Sequence, residues 1–450
     1  MRQLILCLLS TTLLSASAFA AEMPEASEEK PAAAESAATP APAPAVAVAV
    51  PQNVLTLDLA IEKALANSPR LKASNAVLAG SKGARSQAGA WVNPEASVEG
   101  ENVGGKGQYR GIQSAEITYG VSQLVEIGGK RSARIGVADQ DVTLASFDLQ
   151  AARLDLIRDV QLAYADAIAA QEQVKITDEQ QSLAKEILSV VKQRVGAARE
   201  PMIQRSKAEV TLSTTTIAHD KAERALVTTK RALAALWGGE MDQYVLDNAA
   251  FFTITQPQPL ASAEGLKKNP DFARYDAELA KSKSALDLEK ANAVPDPRIS
   301  AGVRDFRESN DRAFVVGLSL PIPVFNMNRG NIEKARQEVS RTENLKENTA
   351  LTLNTELTRA QADYETSYHQ AITLKDTILP AAQKAFSLSR QGYGEGKFSY
   401  LEVLDAQRTL YETRASYQDA LRDYHRSRAE VERLTATHLS PSNHNEEPHE

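Results

Sequence analysis

Ala313-Phe314-Val315-Val316-Gly317-Leu318-Ser319-Leu320 places a large apolar side chain at every second position. A two-residue period puts Phe314, Val316, Leu318 and Leu320 on one face of an extended strand, opposite Ala313, Val315, Gly317 and Ser319. Three other segments read the same way. In 95–103, Ala96, Val98 and Gly100 oppose Glu95, Ser97, Glu99 and Glu101. In 115–122, Ala115, Ile117, Tyr119 and Val121 oppose Glu116, Thr118, Gly120 and Ser122. In 298–304, Ile299, Ala301 and Val303 oppose Arg298, Ser300, Gly302 and Arg304. Polar turns at Gly104–Gly107 and Arg307–Arg312 join them into two hairpins. Such strands suit a membrane-spanning barrel, and a one-sided soluble sheet gives the same alternation. Four strands cannot close a barrel, because about eight is the practical minimum. Open sheet edges are not tolerated in lipid. A barrel built on these strands therefore needs further copies of the chain, and three copies would supply twelve strands.

Outward from the hairpins the period changes to 3.5. Segment 329–392 carries Ala350, Leu353, Leu357, Ala360, Tyr364, Ser367, Ala371, Leu374, Ile378, Ala381, Ala385 and Leu388. Segment 131–195 carries a looser version, from Val142 through Leu149, Leu156 and Ala163 to Val174. Heptads with small residues predict closely packed coiled-coil helices, each roughly 100 Å long at 1.5 Å per residue. The molecule is expected to be elongated. Pro380 falls inside the second seam and should kink or loosen it. Shorter helices are predicted at 56–90, 201–237, 260–293 and 398–437.

The plan occurs twice, with a spacing near 200 residues. Asn67-Ser68-Pro69 recurs as Lys268-Asn269-Pro270, and Ala90-Trp91-Val92-Asn93-Pro94-Glu95 as Ala293-Val294-Pro295-Asp296-Pro297-Arg298. Gly120-Val121-Ser122 matches Gly317-Leu318-Ser319, and Val195-Gly196-Ala197-Ala198-Arg199 matches Tyr393-Gly394-Glu395-Gly396-Lys397. The predicted fold class is mainly α with a small β part, in two repeats at 53–255 and 256–438.

Residues 1–20 read as a signal peptide: Arg2, an apolar run from Leu4 to Leu14, and Ala18-Phe19-Ala20. Residues 21–52 form an Ala/Pro-rich linker and 439–450 a disordered tail. Cys7, the single cysteine of 450 residues, permits no intrachain disulfide. Beyond the N-terminus no run reaches the roughly 18–20 apolar residues of a spanning helix, which excludes an inner-membrane helical transporter. A formal charge of −7 argues against a nucleic-acid partner. Gly128-Gly129-Lys130-Arg131 lacks the upstream glycine and the hydroxyl residue of a phosphate loop, and neither a nucleophile elbow nor a zinc helix is present. No catalytic, cofactor-binding or metal-ligating residue is assigned, so no enzyme is predicted. The composition around His438, His444 and His449 favours a solvated end over a metal-binding tail. Trp91 fits an aromatic belt beside a strand entry, whereas Trp237 reads as packing.

From Leu55 to about Thr437 the chain resembles the TolC-like outer-membrane efflux proteins. Leu57–Leu65, Asn93-Pro94-Glu95, Gln123–Arg131 and above all Gly396-Lys397-Phe398-Ser399-Tyr400-Leu401-Glu402-Val403-Leu404-Asp405-Ala406-Gln407 carry the likeness. Glu101–Gly105 and Glu126–Arg131 resemble the heavy-metal (cobalt–zinc–cadmium) subgroup. The resemblance implies a homotrimer with a twelve-stranded barrel in outer-membrane lipid and a periplasmic α-barrel. It also implies a periplasmic adaptor and a proton-driven resistance–nodulation–division pump in the inner membrane. It places a gate at Glu402 and Asp405, which lie at i and i+3 on one helix face, where Gln204 and Lys207 stand in the first repeat. Carboxylates at a constriction favour cations, though such spacing also suits a solvated helical face. Adaptor contact is expected at the turns holding Gly196, Arg199, Gly392, Gly394, Gly396 and Lys397, the glycines of the second turn allowing backbone geometries that other residues resist. Export of drugs or other organic toxicants is the alternative cargo. A soluble coiled-coil adaptor is the alternative architecture, disfavoured by the two similar halves and the mid-chain strands.

Overall fold

The computed structural model describes residues 53–240, 244–258 and 266–439. The signal peptide, the linker up to Gln52 and the tail beyond Leu439 lie outside the described residues. Four antiparallel strands form one sheet in chain order: β2 (Glu95–Glu101), β3 (Glu116–Leu124), β5 (Arg298–Phe306) and β6 (Asp311–Ser319). β2 and β6 are its free edges. The register sets Val98, Tyr119, Val303 and Phe314 in one row and Ala96, Val121, Ala301 and Val316 in the next. The apolar faces of all four strands therefore coincide. That face is bare: Phe314 is 89% exposed, Val316 80% and Leu318 75%. Water would penalise each such side chain by about 2 kcal/mol relative to burial, so this is a face made for a non-aqueous neighbour.

The opposite face is ionic. Arg304 Nη1 lies 2.9 Å from Glu101 and 3.0 Å from Glu116, and its Nε donates to Thr118 Oγ1 at 3.0 Å. Arg298 pairs with Glu95 and donates to Ser122 Oγ at 3.1 Å. These pairs cross three strands and pin the register, since a one-residue slip would turn every charge to the apolar side.

The predicted first helix is two. α1 (Leu57–Asn67) is capped by Thr56, whose Oγ1 accepts from Leu59 N at 3.3 Å, and α2 (Pro69–Ala88) follows. Ser68 between them takes ψ 124°, because a residue preceding proline is pushed out of the helical region. The second repeat breaks at the same place: Asn269 caps α5 (Pro270–Asn292) by accepting from Asp271 N. The predicted start of this helix, 260–265, lies outside the described residues.

α3 (Lys130–Gly196) is an unbroken helix of 67 residues, about 100 Å long. Its counterpart is interrupted. α6 (Arg329–Thr373) passes through a π turn at Leu374–Ile378 into α7 (Leu379–Gly394). Pro380 explains the turn, since it offers no N–H to the preceding turn and its ring crowds the carbonyl four residues back; widening the helix accommodates both. α4 (Met202–Ala235) and α8 (Tyr400–Leu434) run back along the long helices. Two three-residue strands absent from the sequence reading, β1 (Asn53–Leu55) and β4 (Tyr244–Leu246), pair in parallel. They pack into the largest core, with Val160, Ile168, Leu233, Leu421 and Trp237. Tyr164 fastens both strands by its hydroxyl, 2.9 Å from Leu55 O and 2.7 Å from Asp247 O. No described helix is long and apolar enough to cross a membrane.

Candidate functional site

Two structures join the elements above. The first is the corner between sheet and helices. Glu126-Ile127-Gly128-Gly129-Lys130-Arg131 leaves β3, and each residue has a fixed task. Gly128 (φ +71°) has a backbone that side chains resist, and a Cβ there would come within 2.9 Å of Val294. The Lys130 ammonium is buried against Asp296 Oδ1 at 2.6 Å and Val294 O at 2.5 Å. Ile127 N donates to Asp296 Oδ1 and Val125 N to Pro297 O, both at 2.9 Å. Arg134 grips Glu126 at 2.7 Å, and this hydrogen bond holds the Glu126 carboxyl below its ordinary range. Arg131 donates to Gly89 O at 2.6 Å and stands 4.8 Å over the exposed Trp91 ring. A Gly-Gly-Lys-Arg run that resembles a fragment of a phosphate loop is thus a bracket between the repeats.

The second is the far end, where the long helices turn back. The turn at 196–200 and the turn at 394–398 have one backbone design. Arg199 N donates to Arg194 O at 2.9 Å and Lys397 N to Gly392 O at 2.8 Å. Left-handed φ falls on Ala198 (+55°) in one and Gly396 (+74°) in the other. Gly196 and Gly394 have ordinary φ and open space around them, while Gly392 is required by the Phe398 ring lying against it. The expected need for unusual backbone geometry therefore holds at Gly396 alone among the three glycines of the second turn. Lys397 Nζ pairs with Glu395 at 2.5 Å, and this bond, with one from Gln391, lowers the Glu395 carboxyl below its ordinary range.

Glu402 and Asp405 open α8, both exposed. Glu402 Oε2 accepts from Ser399 N at 2.6 Å and completes a capping box. Asp405 lies 3.6 Å from Arg408, which also reaches Glu412. Val403, on the opposite side of the same turn, is buried with Val191, Leu188, Tyr393 and Tyr400. The two carboxylates are thus held on a face turned away from the local core.

Sequence reasoning missed what ties the two turns together. Arg194 Nη2 donates to Tyr393 O at 2.7 Å, and its guanidinium lies 4.2 Å over the Tyr393 ring. Tyr393 donates its hydroxyl to Glu200 Oε1 at 2.9 Å, and Arg194 reaches the same oxygen at 3.5 Å. Burial, with the Glu200 hydrogen bond and charge behind it, pushes the Tyr393 phenol up to about 12. Arg390 meets Glu186 at 2.6 Å and Arg414 pairs with Glu179, further along the same seam. Between 193 and 235 residues separate these partners along the chain, so no local spacing could announce them. Around the turns Met202, Ile203 and Leu401 remain exposed. Among the described residues no three His, Cys, Asp or Glu side chains gather as a metal site.

Comparison with known proteins agrees with this geometry. The sequence profile of the family described as outer membrane efflux protein matches residues 60–239 and again 262–437, one match in each repeat. The cobalt-zinc-cadmium resistance protein CzcC of Cupriavidus metallidurans is 29% identical over 84% of this chain and 90% of its own length. The pyoverdine export outer membrane protein OpmQ of Pseudomonas aeruginosa is 26% identical over 79% of each chain. Among solved structures, CusC superposes with a TM-score of 0.72 at 19% identity, covering 84% of this chain and 91% of that one. A duplicated helix–hairpin plan, a sheet bare on its apolar face and a profile match through both repeats place this chain in the outer membrane efflux protein family.

Proposed function

We propose that three copies of this chain form the exit duct of a tripartite efflux system for heavy-metal cations. One observation carries the duct: a four-stranded sheet with an apolar outer face, an ionic inner face and two free edges. In lipid those edges must be paired, and identical chains meeting edge to edge pair them all. The ionic face then lines the lumen. We read the chain as two repeats, 53–255 and 256–438, each contributing one hairpin to the barrel and one long helix to the tube below it. A resistance–nodulation–division pump in the inner membrane supplies the energy. A periplasmic adaptor docks on the turns at Gly196–Arg199 and Gly392–Lys397, where Met202, Ile203 and Leu401 offer apolar area.

The cargo assignment rests on the likeness to CzcC. Glu402 and Asp405 serve as the gate: three copies set six carboxylates around one constriction, which favours cations over anions. The likeness to OpmQ supports a second reading, export of organic molecules. A strain lacking this gene, challenged with Zn, Co, Cd, Ni and Cu salts and with a drug panel, separates the two. Lost metal tolerance is expected; unchanged metal tolerance with new drug sensitivity would replace the metal assignment by the organic one.

A further inference from the structure

Past β6 the chain runs Leu320-Pro321-Ile322-Pro323-Val324-Phe325, and the described residues leave its apolar side chains largely uncovered: Ile322 is 80% exposed and Phe325 fully exposed. At the other free edge, before β2, a groove of about 300 Å³ lies open, lined by Trp91, Val92, Asn93, Pro94, Leu124 and Val125. The internal repeat connects the two. The segment leaving β3 packs against the segment entering β5 through Lys130–Asp296, Ile127–Asp296 and Val125–Pro297. The segment leaving β6 is the repeat of the first, and the segment entering β2 is the repeat of the second. Within one chain they stand at opposite edges of the sheet.

We propose that the contact between β3 and β5 inside the chain is the template for the contact between β6 of one copy and β2 of the next, with Leu320–Phe325 laid over Trp91–Pro94. The inference rests on the trimer reading and adds its register. Ser122 faces Ser300 within the chain, so Ser319 faces Ser97 of the next copy. Val125 N donates to Pro297 O, so Ile322 N donates to the next copy's Pro94 O. Gly129 and Asn328 both precede a long helix in the left-handed conformation, at φ 78° and 57°. Lys130 therefore corresponds to Arg329, whose one polar side-chain contact among the described residues is Met327 Sδ at 3.5 Å. Arg329 takes the place of Lys130 and reaches Asn93, the counterpart of Asp296.

The register can be checked against barrel geometry. Crossing the chain's own sheet and the seam returns to β2 four residues further along, from Asn93 to Ser97. Three chains give a shear of about twelve for twelve strands, which at ~3.3 Å per residue and ~4.8 Å between strands means a tilt of roughly 35°. That lies at the lower end of the range closed barrels adopt, ~35–45°. A step in the opposite sense would leave Leu320–Phe325 beside α2 and the groove empty.

Disulfide trapping in outer-membrane fractions tests the register, in a Cys7→Ser background. Ser97→Cys with Ser319→Cys should give a covalent trimer on a non-reducing gel. Within one chain the two strands are three spacings apart, about 14 Å. This is well beyond the ~7 Å Cα separation a disulfide bridges, so every link is between copies. Ser97→Cys with Val315→Cys also faces the lumen but is four residues out of register, and should stay monomeric. Linkage of the second pair in place of the first overturns the register and leaves the trimer standing. No linked species from either pair overturns the register, and the mass of the detergent-released assembly then decides separately whether the trimer stands. Asn93→Asp should raise the temperature at which the detergent-extracted oligomer dissociates, and Arg329→Gln should abolish that rise. The same rise in the Arg329→Gln background would remove Arg329 from the contact.

Discussion

The two far turns share a backbone and differ in almost everything attached to it. Both close with the same hydrogen bond and both need one left-handed residue, yet Ala198 meets that need in the first and Gly396 in the second. After the first turn, α4 follows Pro201 without a side-chain cap, whereas α8 begins with the Ser399–Glu402 box. Arg194 stands where Gly392 makes room for Phe398. Lys207 stands where Asp405 carries the opposite charge. The shared features are those the chain needs in order to turn. The divergent ones have divided the work: the first turn supplies the Arg194 and Glu200 clamp, and the second supplies Tyr393 and the carboxylates.

Substitutions at matched positions can break or sharpen that contrast. The largest effect is expected from Gly392→Val, which drives a branched side chain into the Phe398 ring and should destabilise the fold by about 1–3 kcal/mol in denaturant melts. Gly394→Ala, two residues on and in open space, should be silent. Gly396→Ala should lose about 1 kcal/mol by imposing on the second turn the strain that Ala198 already bears, and Ala198→Gly should recover a few tenths in the first.

Glu402→Gln separates charge from capping, because glutamine at that position still reaches back to the cap N–H. Paired with Asp405→Asn it should weaken cation preference in planar bilayers while leaving the melting curve in place; an unmoved reversal potential in a salt gradient would remove both residues from the gate. The smallest effect concerns Glu395. Its folded pKa lies below the ordinary value of 4.5, so its contribution is present above that value and is lost as pH falls through the lowered one. Lys397→Met should return the Glu395 titration, followed by NMR, toward 4.5. The first turn has Ala197 at this position and should show no such titration.

What could be read from the sequence followed from periodicity. Alternation at 313–320 and its three companions located the strands, heptads located the long helices, and Pro380 marked the interruption. The break at Ser68 was legible in the proline that follows it, which pushes the preceding residue out of the helical region, although the reading of one helix over 56–90 passes across it. β1 and β4 are three residues long, too short for any period to register. At the turns, Glu402 and Asp405 could be named because the resemblance of 396–407 to the efflux proteins points to them; their spacing alone suits a solvated helical face. Tyr393 with Glu200, and Lys130 with Asp296, could not be named, since only folding brings such distant residues together. The glycine-rich second turn invited one explanation for three residues, and the structure assigns them different roles.

The central claim is that one chain cannot complete its own wall in lipid and that identical chains share it. Native mass spectrometry of the protein released from outer membranes in mild detergent tests this most directly. The account predicts a single assembly of three chains; a monomer that stays folded and soluble once the detergent is removed would contradict it.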